Sequence, residues 1–245
     1  MTSNSTQLIR QIVGQLTDAL ATEGFTPSNP LDGVAAAGCG TNSSSEASVW
    51  FARIVDGVPQ LTAAVNAHIQ RNGRFGMGIT AGAWVVSKAA QDILQELPAE
   101  ALSRGSWPLG RLESVNFGFF ERTLDPGEIP VGADPDYAVS EYMRLLRGPV
   151  EQWFSRYSSS SELLATARTA TVQSLDQNSP NPVRIRATVV LLLLNELASD
   201  AVALMDWYLR HDRFHKWDSI DRAVAFDIAI SNRFPAYALA RTAVD

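Results

Sequence analysis

The chain has 245 residues, 46% of them apolar and 19% charged, a composition that fills a packed core rather than a disordered segment. Its 20 basic and 26 acidic residues leave a formal charge of −6, which argues against a nucleic-acid protein, since phosphates call for a basic face. Cys39 is the only cysteine, so an intramolecular disulfide and a multi-thiolate zinc site are both excluded.

Met1 to Gln7 is polar and lacks the basic-then-apolar pattern of a signal peptide. The longest strongly apolar run, Val189 to Leu194, is six residues, against the roughly twenty of a membrane span. The expected setting is therefore the cytoplasm, with no membrane partner. Apart from Lys88 and Lys216 every basic residue is arginine. A skew that general reads as coding-genome composition rather than as a site.

The spacing of Leu8, Ile9, Ile12, Val13, Leu16 and Leu20 predicts a helix from about Thr6 to Thr22, closed by Gly24. Pro27, Pro30, Gly33, Gly38, Gly40 and the serine-rich stretch 41–48 then read as a loop. Val49 to Val55 is β-branched and aromatic, and ends at Asp56-Gly57. Leu61, Ala63, Val65, Ala67 and Ile69 alternate with polar or small residues, as in a half-buried strand. Asn72-Gly73 fits a type I′ turn, and Phe75, Met77, Ile79, Ala81, Ala83 and Val85 alternate on the return. These three strands predict an antiparallel meander. Gly76, Gly78, Thr80 and Gly82 share the second face of the last strand. Strand glycine marks a bulge or a close approach, so this face reads as a groove floor or, more commonly, as the seat of a tightly packed helix.

Ser87 to Leu97 predicts a short helix with Ile93, Leu94 and Leu97 inward, stopped by Pro98. Val115 to Phe120 alternates as a fourth strand would. Asp125-Pro126-Gly127 and Pro130 to Pro135 form a turn-rich connector. It separates an α+β half, about 1–125, from a mainly helical half, about 126–245, within a single α+β domain.

In the second half Asp134 and Pro135 open a helix whose inner stripe is Val139, Tyr142, Met143 and Leu146. Gly148-Pro149 breaks it before Val150, Trp153 and Phe154 continue. Ser159 with Glu162 forms a capping box. Val183 to Ala198 is apolar all round, which predicts a buried helix, although the alternation over 183–187 also fits the start of a strand. Ser199 or Asp200 is expected to cap a helix to Arg210, Asp218 and Asp221 to begin another, and Pro235 to start the last.

Three clusters carry candidate chemistry. His211, Asp212 and His215 place two imidazoles four residues apart with a carboxylate between them, a possible metal or hydrolase set. They fall between predicted helices, and aspartate stands where the zinc-protease pattern has glutamate. A histidine ending a helix has the simpler use of meeting the terminal carbonyls. Cys39, between Gly38 and Gly40, would need a histidine base beside it to act as a nucleophile; an isolated cysteine is more often a small apolar residue. The string Gly73 to Gly78 lacks the lysine and hydroxyl of a phosphate loop and lies in a hairpin, so no nucleotide role follows. His68 reads as a solvent-facing strand residue.

The third cluster is aromatic and basic. Trp207, Tyr208, Phe214 and Trp217 crowd the histidines, with Arg210, Arg213 and Arg222 nearby. Tryptophan, tyrosine and arginine are favoured at protein-binding hot spots, and aromatics also fill helix corners.

The N-terminal ninety residues resemble an uncharacterised bacterial family associated with toxin and immunity neighbourhoods. Gly24-Phe25, Phe51 with Arg53, Asp56-Gly57, Asn66, Phe75 and Gly78 carry the resemblance. It implies no catalytic residue. With the acidic charge, it supports a non-enzymatic, cofactor-free protein that binds a protein partner, expected to be basic, and most concretely a toxin-neutralising immunity protein. Gly76, Gly78, Trp207, Arg210, Arg213 and Trp217 are its candidate binding residues. The alternative is a metal-dependent hydrolase or small-molecule enzyme built on His211, Asp212 and His215. A third reading is a ligand site on the glycine face.

Overall fold

The computed structural model describes residues 2–29, 46–72, 76–105, 107–120, 128–132, 134–174, 178–211 and 213–243. Cys39, the serine run, Gly73 to Phe75, Asp125-Pro126-Gly127 and Asp212 lie outside them. Helix α1 (Thr2–Thr22) is followed by β1 (Thr26–Pro27), β2 (Glu46–Val55), β3 (Val58–Asn72), β4 (Gly76–Val86), α2 (Lys88–Gln95), β5 (Arg111–Asn116) and β6 (Glu128–Pro130). The remainder is helical: α3 (Pro135–Leu145), α4 (Glu151–Phe154), α5 (Ser160–Ala167), α6 (Pro182–Leu194), α7 (Ala198–Leu209), α8 (Ile220–Arg233) and α9 (Pro235–Thr242). The strands form an open antiparallel sheet in the order β1-β2-β3-β4-β5, with β6 also paired to β4. The protein is α+β. No helix among the described residues is long and apolar enough to cross a membrane.

The meander follows the alternation. Leu61, Ala63, Val65, Ala67 and Ile69 of β3 are buried, as are Met77, Ile79, Ala81, Ala83 and Val85 of β4. Gly57, at φ +82°, supplies the left-handed residue of the β2–β3 turn.

Four expectations are corrected. The fourth strand is shifted to Arg111–Asn116, and Phe117–Phe119 form a 3₁₀ turn. Phe117 is fully buried there and Phe119 is not, so the alternation beyond Asn116 is not that of a strand. The strand alternative over 183–187 gives way to α6. Asn181 Oδ1 accepts from the Val183 and Arg184 N–H groups and Pro182 occupies the first turn, so the helix is already committed before the alternating residues. Helix α7 starts at Ala198 after Leu197, with no side-chain cap, leaving Ser199 and Asp200 inside its first turn. Helix α8 is capped by Ser219, whose Oγ accepts from Arg222 N. Asp218 is drawn away from that role by a buried arginine, described below.

The chain divides into two compact units, Met1–Ile54 with Thr62–Trp84 and Ser114–Ser155, and Val55–Leu61 with Val85–Glu113 and Arg156–Asp245. In the first, α1 packs on α3 and buries Ile12, Leu16 and Leu20. Tyr142 of α3 donates to Asn66 O at 3.1 Å, while Asn66 Oδ1 accepts from Gly82 N at 2.9 Å. The Arg53 guanidinium lies over Phe25 at 4.5 Å, donates to Glu23 O at 3.0 Å and pairs with Glu151 at 2.5 Å. In the second unit α6 is the central rod. Every residue from Pro182 to Leu193 is buried, with α2, α5 and α7 packed on it.

Candidate protein-binding face

Two of the buried residues of α6 are arginines, and their partners shape the second unit. Arg184 pairs with Glu113 at 3.5 Å and donates to Thr169 O. Glu113 also accepts from the Tyr157 hydroxyl and from Val172 N. Arg186 pairs with Asp218 at 2.7 Å, and Asp218 accepts from Tyr208 at 2.6 Å. A third network joins Arg241 to Asp206 and Asp227, with Tyr237 donating to Asp227 at 2.5 Å. Burial first, and the neighbouring carboxylate second, push the hydroxyls of Tyr157 and Tyr208 well above the ordinary tyrosine range; burial does the same for Tyr237. Each carboxylate of these networks is matched by an arginine, so their chemistry is spent on holding α6, α7, α8 and α9 together.

The Arg186–Asp218 pair also fixes the segment after α7, where the sequence places most of its candidate residues. Trp207 is half-buried, with the Arg168 guanidinium 5.8 Å from its ring and His211 at 5.1 Å. His211 Nε2 lies 3.3 Å from Asn178 O. Arg210 and Arg213 are exposed. Trp217 is half-buried against the backbone of Gly105, where an added Cβ would meet the indole at 2.6 Å. Its carbonyl accepts from Arg104 N at 2.7 Å, and its ring faces His215 at 4.6 Å and Lys216 Nζ at 5.9 Å. The Nδ1 of His215 accepts from Trp217 N at 3.3 Å. The two imidazoles are therefore turned to different partners, one to a carbonyl and one to a backbone N–H. Among the described residues no three of histidine, cysteine, aspartate and glutamate are grouped to hold a metal.

On the glycine face, an added Cβ at Gly78 would meet the Glu128 carboxylate at 1.8 Å, and one at Gly82 would meet the Trp84 indole at 2.5 Å. Gly76 is open and at φ +88°. The close approaches are made by the side chains of β6 and β4 themselves. His68 lies with its Nε2 3.2 Å from Gln70 Oε1.

One surface was not singled out from the sequence. Ile220, Val224 and Ile228 form an i, i+4, i+8 stripe along α8, exposed at 45%, 41% and 56%, and Leu239 on α9 is 74% exposed. Ala223, Phe226 and Ile230 take the buried side of the same helix. The signal was present as two apolar stripes on one helix, more than a single core contact needs. Arg222, between the stripes, donates to Ala99 O at 3.0 Å and to Leu102 O at 2.5 Å. The segment Ala99–Gly105 thus touches both α8 and Trp217.

No protein-family model, curated protein or solved structure matches the chain.

Proposed function

We propose that this chain is a protein-binding protein whose contact surface lies on its C-terminal helices, and in its most concrete form a toxin-neutralising immunity protein. The observation that carries the reading is the exposed stripe Ile220, Val224 and Ile228. Large apolar side chains scattered singly over a surface need no explanation, but three in helical register on one face are the form a helix takes when it meets another protein. Trp207 and Trp217, half-buried and flanked by arginine and lysine, add the residue types that anchor interfaces. The formal charge of −6 and the resemblance of the N-terminal residues support the immunity form, in which the net charge steers a basic toxin toward the chain.

The test is to isolate the tagged chain from its native cell, identify what co-purifies at one-to-one stoichiometry, and express that protein with and without the chain. The reading expects the partner to arrest growth alone and the chain to restore it. A chain that purifies without a stoichiometric protein partner sinks the reading. A partner that is harmless on its own removes the immunity form.

A further inference from the structure

We propose that the polar face of β3 and β4 binds a neutral saccharide, with the Trp84 indole as its platform and a row of uncharged side chains as its hydrogen-bond partners. The residues all belong to the first unit, and the site does not depend on the protein partner.

Strand alternation puts these residues on one face. Leu61, Ala63, Val65, Ala67 and Ile69 of β3, and Met77, Ile79, Ala81, Ala83 and Val85 of β4, are buried. Asn66, His68 and Gln70, and Thr80, Gly82 and Trp84, therefore take the opposite face of two strands that are neighbours in the sheet. Contacts between them agree with that placement. Asn66 Oδ1 accepts from Gly82 N at 2.9 Å, and His68 Nε2 lies 3.2 Å from Gln70 Oε1. The Trp84 indole folds back over Gly82, where an added Cβ would meet it at 2.5 Å, so the glycine lets the ring lie along the sheet. Trp50 of β2, only 5% exposed, supports that ring at 4.5 Å. Asn66, His68, Gln70, Thr80 and Trp84 are each half-buried.

The chemistry of this face is neutral. Its positions from Asn66 to Gln70 and from Gly78 to Trp84 include no arginine, lysine, aspartate or glutamate. A carboxylate does reach it from β6, where Glu128 packs over Gly78. The rings of Trp107, Trp207 and Trp217 carry Arg111, Arg168 and Lys216 at 4.0, 5.8 and 5.9 Å, whereas among the described residues no cation stands over Trp84. Asn66 Nδ2, Gln70 Nε2, the Thr80 hydroxyl and the Trp84 indole N–H have no hydrogen-bond partner among the described residues.

A pyranose has an apolar C–H face and a rim of hydroxyls that both donate and accept. An indole takes the first, and amides, an imidazole and a hydroxyl take the second. Other ligand classes fit less well. An anion calls for arginine or lysine, which the face lacks. An apolar ligand would cut four donors off from water without replacing their hydrogen bonds. A peptide strand docks on a sheet edge, not on a face whose backbone groups are already in the ladder. A quaternary ammonium is held by several open ring faces, and here Trp50 is buried, which leaves Trp84.

The experiment titrates the full chain, by calorimetry, with neutral trisaccharides built from glucose, galactose, mannose, xylose and N-acetylglucosamine. Choline and inorganic triphosphate are the comparison ligands. At least one sugar is expected to bind with a Kd below about 1 mM, and more tightly than either comparison ligand. The double variant Gln70→Met, Thr80→Val keeps the side-chain shapes and strips their hydrogen-bonding atoms. It is expected to weaken the best sugar at least tenfold at an unchanged Tm. The sugar should also shift the tryptophan emission of the natural chain, and Trp84→Phe, which keeps a ring, should abolish that shift. Failure of every sugar to bind, or tighter binding of choline or triphosphate, would overturn the proposal. So would an unaffected double variant, or an emission shift that survives in Trp84→Phe.

Discussion

Asp218 grips Arg186 through both ends of the guanidinium, Oδ2 to Nη1 at 2.7 Å and Oδ1 to Nη2 at 3.0 Å, with both side chains almost completely buried. Arg186 Nε donates to Ala101 O at 2.8 Å, and its guanidinium stands 5.2 Å from the Phe226 ring. One residue of α6 therefore ties together the 3₁₀ turn at Ala99–Ala101, the segment before α8, and α8 itself. Removing one member of a buried pair strands the other charge, so Asp218→Ala is expected to lower stability by about 3–5 kcal/mol in urea unfolding. Replacing both partners, as Arg186→Met with Asp218→Leu, should cost less than the single change, because no bare charge is left.

Alkaline stability follows from the buried tyrosines. Burial raises the hydroxyls of Tyr142, Tyr157, Tyr208 and Tyr237 above the usual value near 10. Below about pH 10 both the folded and unfolded chains hold these protons, and the tyrosines exert no pH dependence. Above it the unfolded chain releases protons that the folded chain retains, so stability falls as pH rises, by up to about 1.4 kcal/mol per pH unit for each tyrosine. Thermal unfolding between pH 8 and 11.5 should show Tm level up to the neighbourhood of pH 10 and then steeply declining. A Tm unchanged to pH 11.5 would contradict this.

Two glycines are expected to respond in opposite directions. Gly14 lies within α1 with open space around an added Cβ, so Gly14→Ala should stabilise by about 0.5–1 kcal/mol. Gly57 combines φ +82° with a Cβ position 2.5 Å from Ser158 O. Gly57→Ala should destabilise by about 1–3 kcal/mol, from backbone strain before any contact with Ser158 is relieved. Denaturant midpoints of the two variants check both signs.

The parts of this fold that were legible in the sequence are those set by near neighbours. The period-two alternation placed β3 and β4, and Asp134, Ser159 and Pro235 opened α3, α5 and α9 where their side chains and ring geometry demand. What was hidden depends on partners distant in the chain. Asp218 looked like a helix cap because its neighbours are a turn and a helix. Its buried role is decided by Arg186, 32 residues away. The glycines of β4 were read as making room for a helix, and the side chain at Gly78 comes from Glu128. The α8 stripe was lost among residues that any buried helix would carry. Only the packing of Phe226 and Ile230 reveals that Ile220, Val224 and Ile228 face outward.

The exposure of that stripe separates stability from function. Val224→Asp with Ile228→Asp removes side chains that are only about half buried, so the double variant should lose no more than about 1–3 kcal/mol of unfolding free energy and stay folded. The same change places two charges in the centre of the proposed contact. Urea unfolding of the isolated chain checks the first statement.

The most direct measurement is the Kd of the captured partner for the natural chain and for the Val224→Asp, Ile228→Asp variant, by titration calorimetry on matched, folded preparations. A contact surface on the C-terminal helices predicts a loss of at least a hundredfold, about 2.7 kcal/mol. A Kd that stays the same in the variant would place the partner elsewhere on the chain and contradict the account.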